Sequence, residues 1–235
     1  MKTIKRYVLL TILVLMTACL PALVPSSAEA AKFTVVIDAG HGGDDRGVQL
    51  SRSAVEKDVT LAIAKSVKAI MSPNDAIAVM LTRPDDRNLS LNARKDAIRS
   101  ADADLLISLH VNAGFSTRAS GYEIYVPASK SYPRKEPDPG KVIDEMLEIT
   151  FLNNSIRFSN ILDRELGRVF PREGRGVRPA PVAILNNISM AGVLIELGFS
   201  TNFKNRDGLL ENHIQEDAAK MIAESIRLYF GVPPS

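Results

Sequence analysis

The sequence predicts a single α/β domain, a mostly parallel twisted sheet of about six strands with helices on both faces. Three observations carry this. Aliphatic runs such as Phe33-Thr34-Val35-Val36-Ile37 and Leu105-Leu106-Ile107-Ser108-Leu109 read as strands buried on both faces. Stretches of helical spacing alternate with them, the pattern of helices covering a parallel sheet. Polar residues capable of chemistry stand where the runs stop, and open α/β sheets hold their ligand crevice at the carboxyl ends of the strands.

The first thirty residues are set apart. Lys2, Lys5 and Arg6 form a basic start, Tyr7 to Leu20 is apolar, and Ala28-Glu29-Ala30 offers small residues at the positions a signal peptidase reads. Residues 1–30 are therefore expected to be a signal peptide, with export to the periplasm or cell wall. The run is short for a membrane span. Met16-Thr17-Ala18-Cys19 loosely resembles a lipoprotein box, but apolar residues continue past Cys19 to Val24. Cleavage after Ala30 would remove Lys2, Lys5, Arg6 and Glu29, so the formal charge falls from +2 to 0. A neutral domain carries no electrostatic footprint for nucleic acid. Cys19 is the single cysteine, so residues 31–235 hold no disulfide and no thiol nucleophile.

The elements follow in order. After the first strand, Ala39 to Ala54 is a loop rich in Gly and Asp. From Glu56 to Ile70 the residues Val59, Ile63, Val67 and Ile70 recur at helical spacing. Ala76 to Leu81 is the second strand, and Ser90 is a fair N-cap for a helix to Ser100. Leu105 to His110 is the third strand. Gly121 to Val126 is a fourth, with Tyr122, Ile124 and Val126 alternating. Residues 127–154 break the rhythm with Pro127, Pro133, Pro137 and Pro139, then a short helix from Lys141 to Ile149. An insertion of that length is often functional. Ser155 to Phe170 reads as a helix, Pro181 to Leu185 and Gly192 to Leu197 as strands, and Ile214 to Phe230 as a last helix stopped by Gly231 and Pro233.

Four residues invite chemistry. His41 lies in a glycine-rich loop that lacks both the dinucleotide glycine spacing and the P-loop Lys-Ser/Thr. His110 ends an aliphatic strand, where an imidazole needs a partner if buried. Glu196 interrupts Val193-Leu194-Ile195, and a carboxylate there must face a cleft, a cation or an arginine such as Arg94 or Arg178. Glu56 opens a helix, where the macrodipole alone would explain an acid. His213 reads as a capping or surface residue. Two imidazoles and a carboxylate, with a second carboxylate free, suit a hydrolytic zinc site. Asn112, on the exit from the third strand, could contact substrate amides.

Several motifs then stand in order along the chain: Asp38-Ala39-Gly40-His41-Gly42-Gly43-Asp44-Asp45-Arg46-Gly47, Leu91-Asn92-Ala93-Arg94, Ser108-Leu109-His110-Val111-Asn112-Ala113, Gly176-Val177-Arg178-Pro179-Ala180 and Ile195 to Asn202. Together they resemble the zinc-dependent N-acetylmuramoyl-L-alanine amidases of the amidase-3 type over essentially all of residues 31–235. The resemblance implies one zinc ion per chain held by His41, Glu56 and His110, with Glu196 as the catalytic carboxylate. It implies peptidoglycan as substrate, cut between N-acetylmuramic acid and the L-alanine of the stem peptide in wall remodelling or daughter-cell separation. The departures are Asp45 where proline is common and Thr201 where serine is common. In some exported members the 127–154 position carries a helix that covers the zinc cleft until an activator protein removes it. Glu145 and Glu148 on the short helix have the chemistry to do so here. Two other readings stay open at this point, a zinc peptidase cutting within the stem peptide and an inactive wall-binding module.

Overall fold

The computed structural model describes residues 32–71, 76–128, 139–170 and 173–233. The expected signal peptide with Cys19, and Pro133 and Pro137 of the insertion, lie outside them. Six strands form one sheet, β1 (Phe33–Ala39), β2 (Ile77–Leu81), β3 (Leu105–Asn112), β4 (Glu123–Pro127), β5 (Val177–Ala180) and β6 (Ala191–Phe199), in the order β2-β1-β3-β6-β4-β5. β2, β1, β3 and β6 are parallel; β4 is antiparallel to β6, and β5 is parallel to β4.

The pleat sorts side chains into two cores. Val35, Ile37, Leu105, Ile107, Leu109, Val193 and Ile195 face one side. That side is covered by α1 (Glu56–Ile70), the second half of α3 (Val142–Val169) and α5 (Asn212–Phe230). Phe158 of α3 is fully buried there, its ring edge-on to Tyr229 at 5.4 Å. Val36, Leu106 and Leu194 face the other side, where α2 (Leu91–Ser100) contributes Ile98 and a 3-10 turn (Ala183–Leu185) contributes Ile184 and Leu185. This second side has the thinner cover, and it is where a cleft can open. The mostly parallel α/β sheet with helices on both faces is as the sequence predicts. No helix among the described residues is long and apolar enough to cross a membrane.

Three elements differ from the sequence reading. The two helices expected at Lys141–Ile149 and Ser155–Phe170 are one, α3. The polar residues between them do not break it, because Ser155 Oγ bonds back to the Phe151 carbonyl at 2.8 Å and accepts from Gly192 N at 2.9 Å. The strand expected at Pro181–Leu185 is instead β5 at Val177–Ala180. Pro179 is tolerated because β5 lies at the sheet edge, where a missing N–H costs no ladder bond. A short helix α4 (Phe203–Leu209) follows β6, with the Asn202 side chain capping it by accepting from Asn205 N.

Candidate active site

His41, Glu56 and His110 come together at the carboxyl ends of β1 and β3. Their ligand-capable atoms all lie within 4.8 Å of one another. Glu56 is the centre. It is 1 % exposed at the first position of α1. Its Oε1 lies 3.0 Å from His41 Nε2 and 3.0 Å from His110 Nδ1, and accepts from Val111 N at 2.9 Å. Its Oε2 accepts from Val48 N at 2.9 Å. Burial alone would raise this carboxyl; the hydrogen bonds from His110, His41 and the two backbone amides outweigh it and hold it at about 2. The bond to Glu56 chiefly raises the His41 imidazole to about 8, against its burial.

The loop that carries His41 is strained and held from behind. His41 adopts φ +59°, a left-handed backbone that non-glycine residues rarely take. Two buried guanidinium groups fix it. Arg83, fully buried, donates to the Ala39 and Gly40 carbonyls, each at 2.9 Å. Arg94 donates to the Ala39 carbonyl at 2.8 Å and the His41 carbonyl at 2.6 Å. Arg94 also pairs with Asp38 at 2.6 Å. Gly40 is required by proximity, since a Cβ there would overlap the His110 imidazole. Asp45 lies 2.8 Å from His41 Nδ1 through either carboxylate oxygen. A carboxylate only accepts, so Nδ1 donates to Asp45 and, with no metal between them, Nε2 donates to Glu56; the Asp45 bond fixes the ring so that Nε2 is the nitrogen facing Glu56. Asp45 thus supplies the bond that orients the imidazole.

Glu196 sits in register with His110 on the neighbouring strand, on the thinly covered side of the sheet. Neither arginine considered as its partner reaches it: Arg94 pairs with Asp38, and Arg178 with Glu123. Glu196 Oε2 is buried and accepts no hydrogen bond. Burial chiefly pushes this carboxyl up to about 7, and the Glu56 and Glu123 charges add to the rise. A cleft of about 390 Å³ is lined by His41, His110, Glu196, Arg94 and Ile184, among others. Asn112 is not among the lining residues; two positions past His110, its Nδ2 donates to Glu123 Oε2 at 2.9 Å. Glu123, Arg83 and Asp45 were not legible as site residues in the sequence, because each acts through a partner distant along the chain or hidden in a loop.

Glu145 and Glu148 belong neither to the metal-capable group nor to the lining of the cleft among the described residues. Ser155 anchors α3 at Gly192, near the start of β6, while Val169 and Phe170 lie beside Leu197 near its end. The helix therefore runs the same way as β6, and residues 142–154 project beyond the edge opposite Glu196. Ten residues of helix and four of strand separate Glu145 from Glu196, on the order of 25 Å. The core-packed part of α3 also covers the other face of the sheet.

The comparisons with known proteins point one way. Residues 35–227 match the Amidase_3 family model, N-acetylmuramoyl-L-alanine amidase. Among relatives, the uncharacterized protein YqiI of Bacillus subtilis is 32% identical over 197 residues, 84% of this chain and 84% of its own length. The catalytic domain of CwlV, an N-acetylmuramoyl-L-alanine amidase from Bacillus (Paenibacillus) polymyxa, superposes with a TM-score of 0.69 at 29% identity, over 86% of this chain and 99% of that one. The CwlD amidase from Clostridioides difficile, solved in complex with the GerS lipoprotein, gives 0.70 at 28% identity over 86% of this chain and 100% of that one. The chain belongs to the N-acetylmuramoyl-L-alanine amidase family and is a peptidoglycan hydrolase acting on the amide between N-acetylmuramic acid and L-alanine.

Proposed function

We propose that His41, Glu56 and His110 hold one zinc ion and that Glu196 moves the proton during amide hydrolysis. The donor set fits the metal: two imidazoles and a buried carboxylate within reach of one another, with no fourth donor in the group among the described residues. Bound there, zinc supplies Lewis acidity, lowering a water's pKa toward about 7 and stabilising charge on a carbonyl oxygen. The chain's own residues do the rest. Asp45 holds His41 in the tautomer that leaves Nε2 free to ligate. Glu196 accepts the attacking water's proton and returns it to the leaving amine nitrogen as the C–N bond breaks. Asn112 is proposed to meet a substrate amide at the cleft edge. The observation that carries the reading is Glu196 Oε2, buried without a partner and lining the same cleft as both histidines.

Metal analysis tests it. Wild type and Glu196→Gln should each carry about one zinc per chain, and His41→Ala and His110→Ala close to none. Zinc loss in Glu196→Gln would make that residue a ligand, and full zinc in His41→Ala would break the assignment.

Export follows as part of the same proposal, with residues 1–30 removed as a signal peptide and the domain acting in the periplasm or cell wall. An exported chain beginning at Ala31 supports it, and one beginning at a lipid-bearing Cys19 replaces it with the lipoprotein form. CwlD is solved with a lipoprotein bound, and a protein activator is the corresponding proposal here. The projecting start of α3 offers it an apolar surface, with Ile143, Met146 and Ile149 all more than half exposed. Such a partner would act without uncovering the cleft.

A further inference from the structure

The reversal of strand direction at β4 brings a second set of charges to the rim of the cleft. Because β4 is antiparallel to β6, its first residue lies at the end where β6 carries Glu196, and the register sets Glu123 opposite Glu196. Cross-strand partners share one face of the sheet, with Cβ atoms about 4.5–5.5 Å apart. β5 runs parallel to β4, so its start, with Arg178 in the strand and Arg175 just before it, reaches the same rim.

Glu123 is 3 % exposed and gathers four side chains. Its Oε1 accepts from Arg175 Nε at 2.8 Å and pairs with Arg178 Nη1 at 3.3 Å. Its Oε2 accepts from Asn112 Nδ2 at 2.9 Å and from the Tyr125 hydroxyl at 2.8 Å. One arginine would neutralise this carboxylate. Two leave a positive charge in excess, on side chains that are 37% and 49% exposed. Arg175 is held further by stacking on Phe199, its Cζ 5.3 Å from the ring centroid. Neither Nη of Arg175 donates a hydrogen bond among the described residues. The result is an Arg175 guanidinium whose two Nη groups have no protein acceptor among the described residues, beside an Arg178 engaged through Nη1 on Glu123 and through Nη2 on the Arg175 carbonyl at 3.4 Å, both backed by a buried acid. A planar fork of this kind matches a carboxylate with two parallel hydrogen bonds.

We propose that Arg175 and Arg178, set in place by Glu123, form a subsite for a free carboxylate on the stem peptide. This rests on the amidase reading above, in which the scissile amide reacts beside Glu196. The arginines come from β5 and the turn before it, two strand spacings or roughly 10 Å from β6, and reach back to Glu123 one spacing from Glu196. An extended peptide advances about 3.3–3.6 Å per residue, so the carboxylate that fits is borne by the second residue of the stem. Glu123 is a positioning residue in this arrangement. It touches no substrate and acts through the guanidinium groups and Asn112.

Binding and cleavage together test the subsite. The probes are two synthetic N-acetylmuramoyl tetrapeptides that differ only in whether the second residue carries a free carboxylate or a carboxamide. Calorimetric titration into Glu196→Gln should show the carboxylate form binding about 10- to 100-fold tighter, the range expected for hydrogen bonds to a charged group. Arg175→Ala/Arg178→Ala in that background should abolish the difference by weakening only the carboxylate form. Arg178→Lys, which keeps the charge without the fork, should restore part of it. In active enzyme the same pair of changes should raise KM for the carboxylate substrate and leave kcat within about two-fold. Equal binding of the two probes by Glu196→Gln overturns the subsite, as does a variant that weakens both alike. Discrimination in binding without any cleavage by wild type would retain the subsite and defeat the amidase reading instead. If the double variant does not fold, Arg178→Gln alone carries the test, with the same selective loss required.

Discussion

At the scale of single residues, the site is held in two environments that push neighbouring carboxylates apart. Glu56 accepts hydrogen bonds from both histidines and two backbone amides, and stays ionised. Glu196 is buried without a donor to its Oε2, and its carboxyl rises to about 7. An acid raised in the folded state stabilises the fold below its unfolded value, and loses that contribution as pH rises through the folded one. For Glu196 the window runs from about 4.5 to about 7. Metal-free Glu196→Gln should therefore melt higher than metal-free wild type at pH 8, by about 1–3 kcal/mol, and the gap should close near pH 4.5. Equal melting at both pH values would show that the carboxylate is not desolvated. The same substitution should cut hydrolysis about 10²- to 10⁴-fold, the usual loss for a missing general base. Asp45→Ala should weaken zinc about 10- to 100-fold in a competition titration while leaving one site per chain, because the orienting bond to His41 goes and the ligands stay. Unchanged affinity would make Asp45 a bystander.

At the scale of elements, strand ends were easier to read than helix lengths. The aliphatic runs that end at Asp38, His110 and Glu196 located the rim, because burial on both sheet faces leaves little choice of residue. Helix α3 was divided in two, because Asn153, Asn154 and Ser155 look like breakers until Gly192 N is seen to donate to Ser155 Oγ. β5 was displaced because an edge strand needs little apolar surface, so Val177-Arg178-Pro179-Ala180 carried no strand signal. The corrected α3 changes what its acids should do. Glu145→Ala/Glu148→Ala should leave the rate on purified sacculi within about two-fold of wild type, since neither carboxylate is among the residues that line the cleft. A several-fold rise would restore a covering role. Phe158→Ala, in the buried half of the same helix, should cost about 3–5 kcal/mol in denaturant melts. A loss under 1 kcal/mol would mean that α3 is not packed as described.

At the scale of the whole molecule, the chain depends on its sheet for stability, and the proposed zinc serves chemistry alone. The two cores run the length of the sheet, and a domain of this size folds without a structural metal. Chelation should abolish hydrolysis while the far-UV circular dichroism stays native. The three-donor cluster was legible in the sequence as residues that end strands, and Glu56 gained its role there from the family's motifs. What stayed hidden was the support behind it. Arg83, Arg94 and Glu123 act across 11 to 56 positions of chain, distances that no local pattern records. The proposed hydrolysis joins a zinc ion, Glu196 and one amide bond. Its most direct test is the mass spectrum of purified sacculi digested by chelated, zinc-restored wild type and by Glu196→Gln in parallel. Wild type with zinc should release stem peptides bearing a free L-alanine amine, and neither chelated wild type nor Glu196→Gln should release them. Products cut within the stem peptide, or release that persists without metal or without the Glu196 carboxylate, would contradict it.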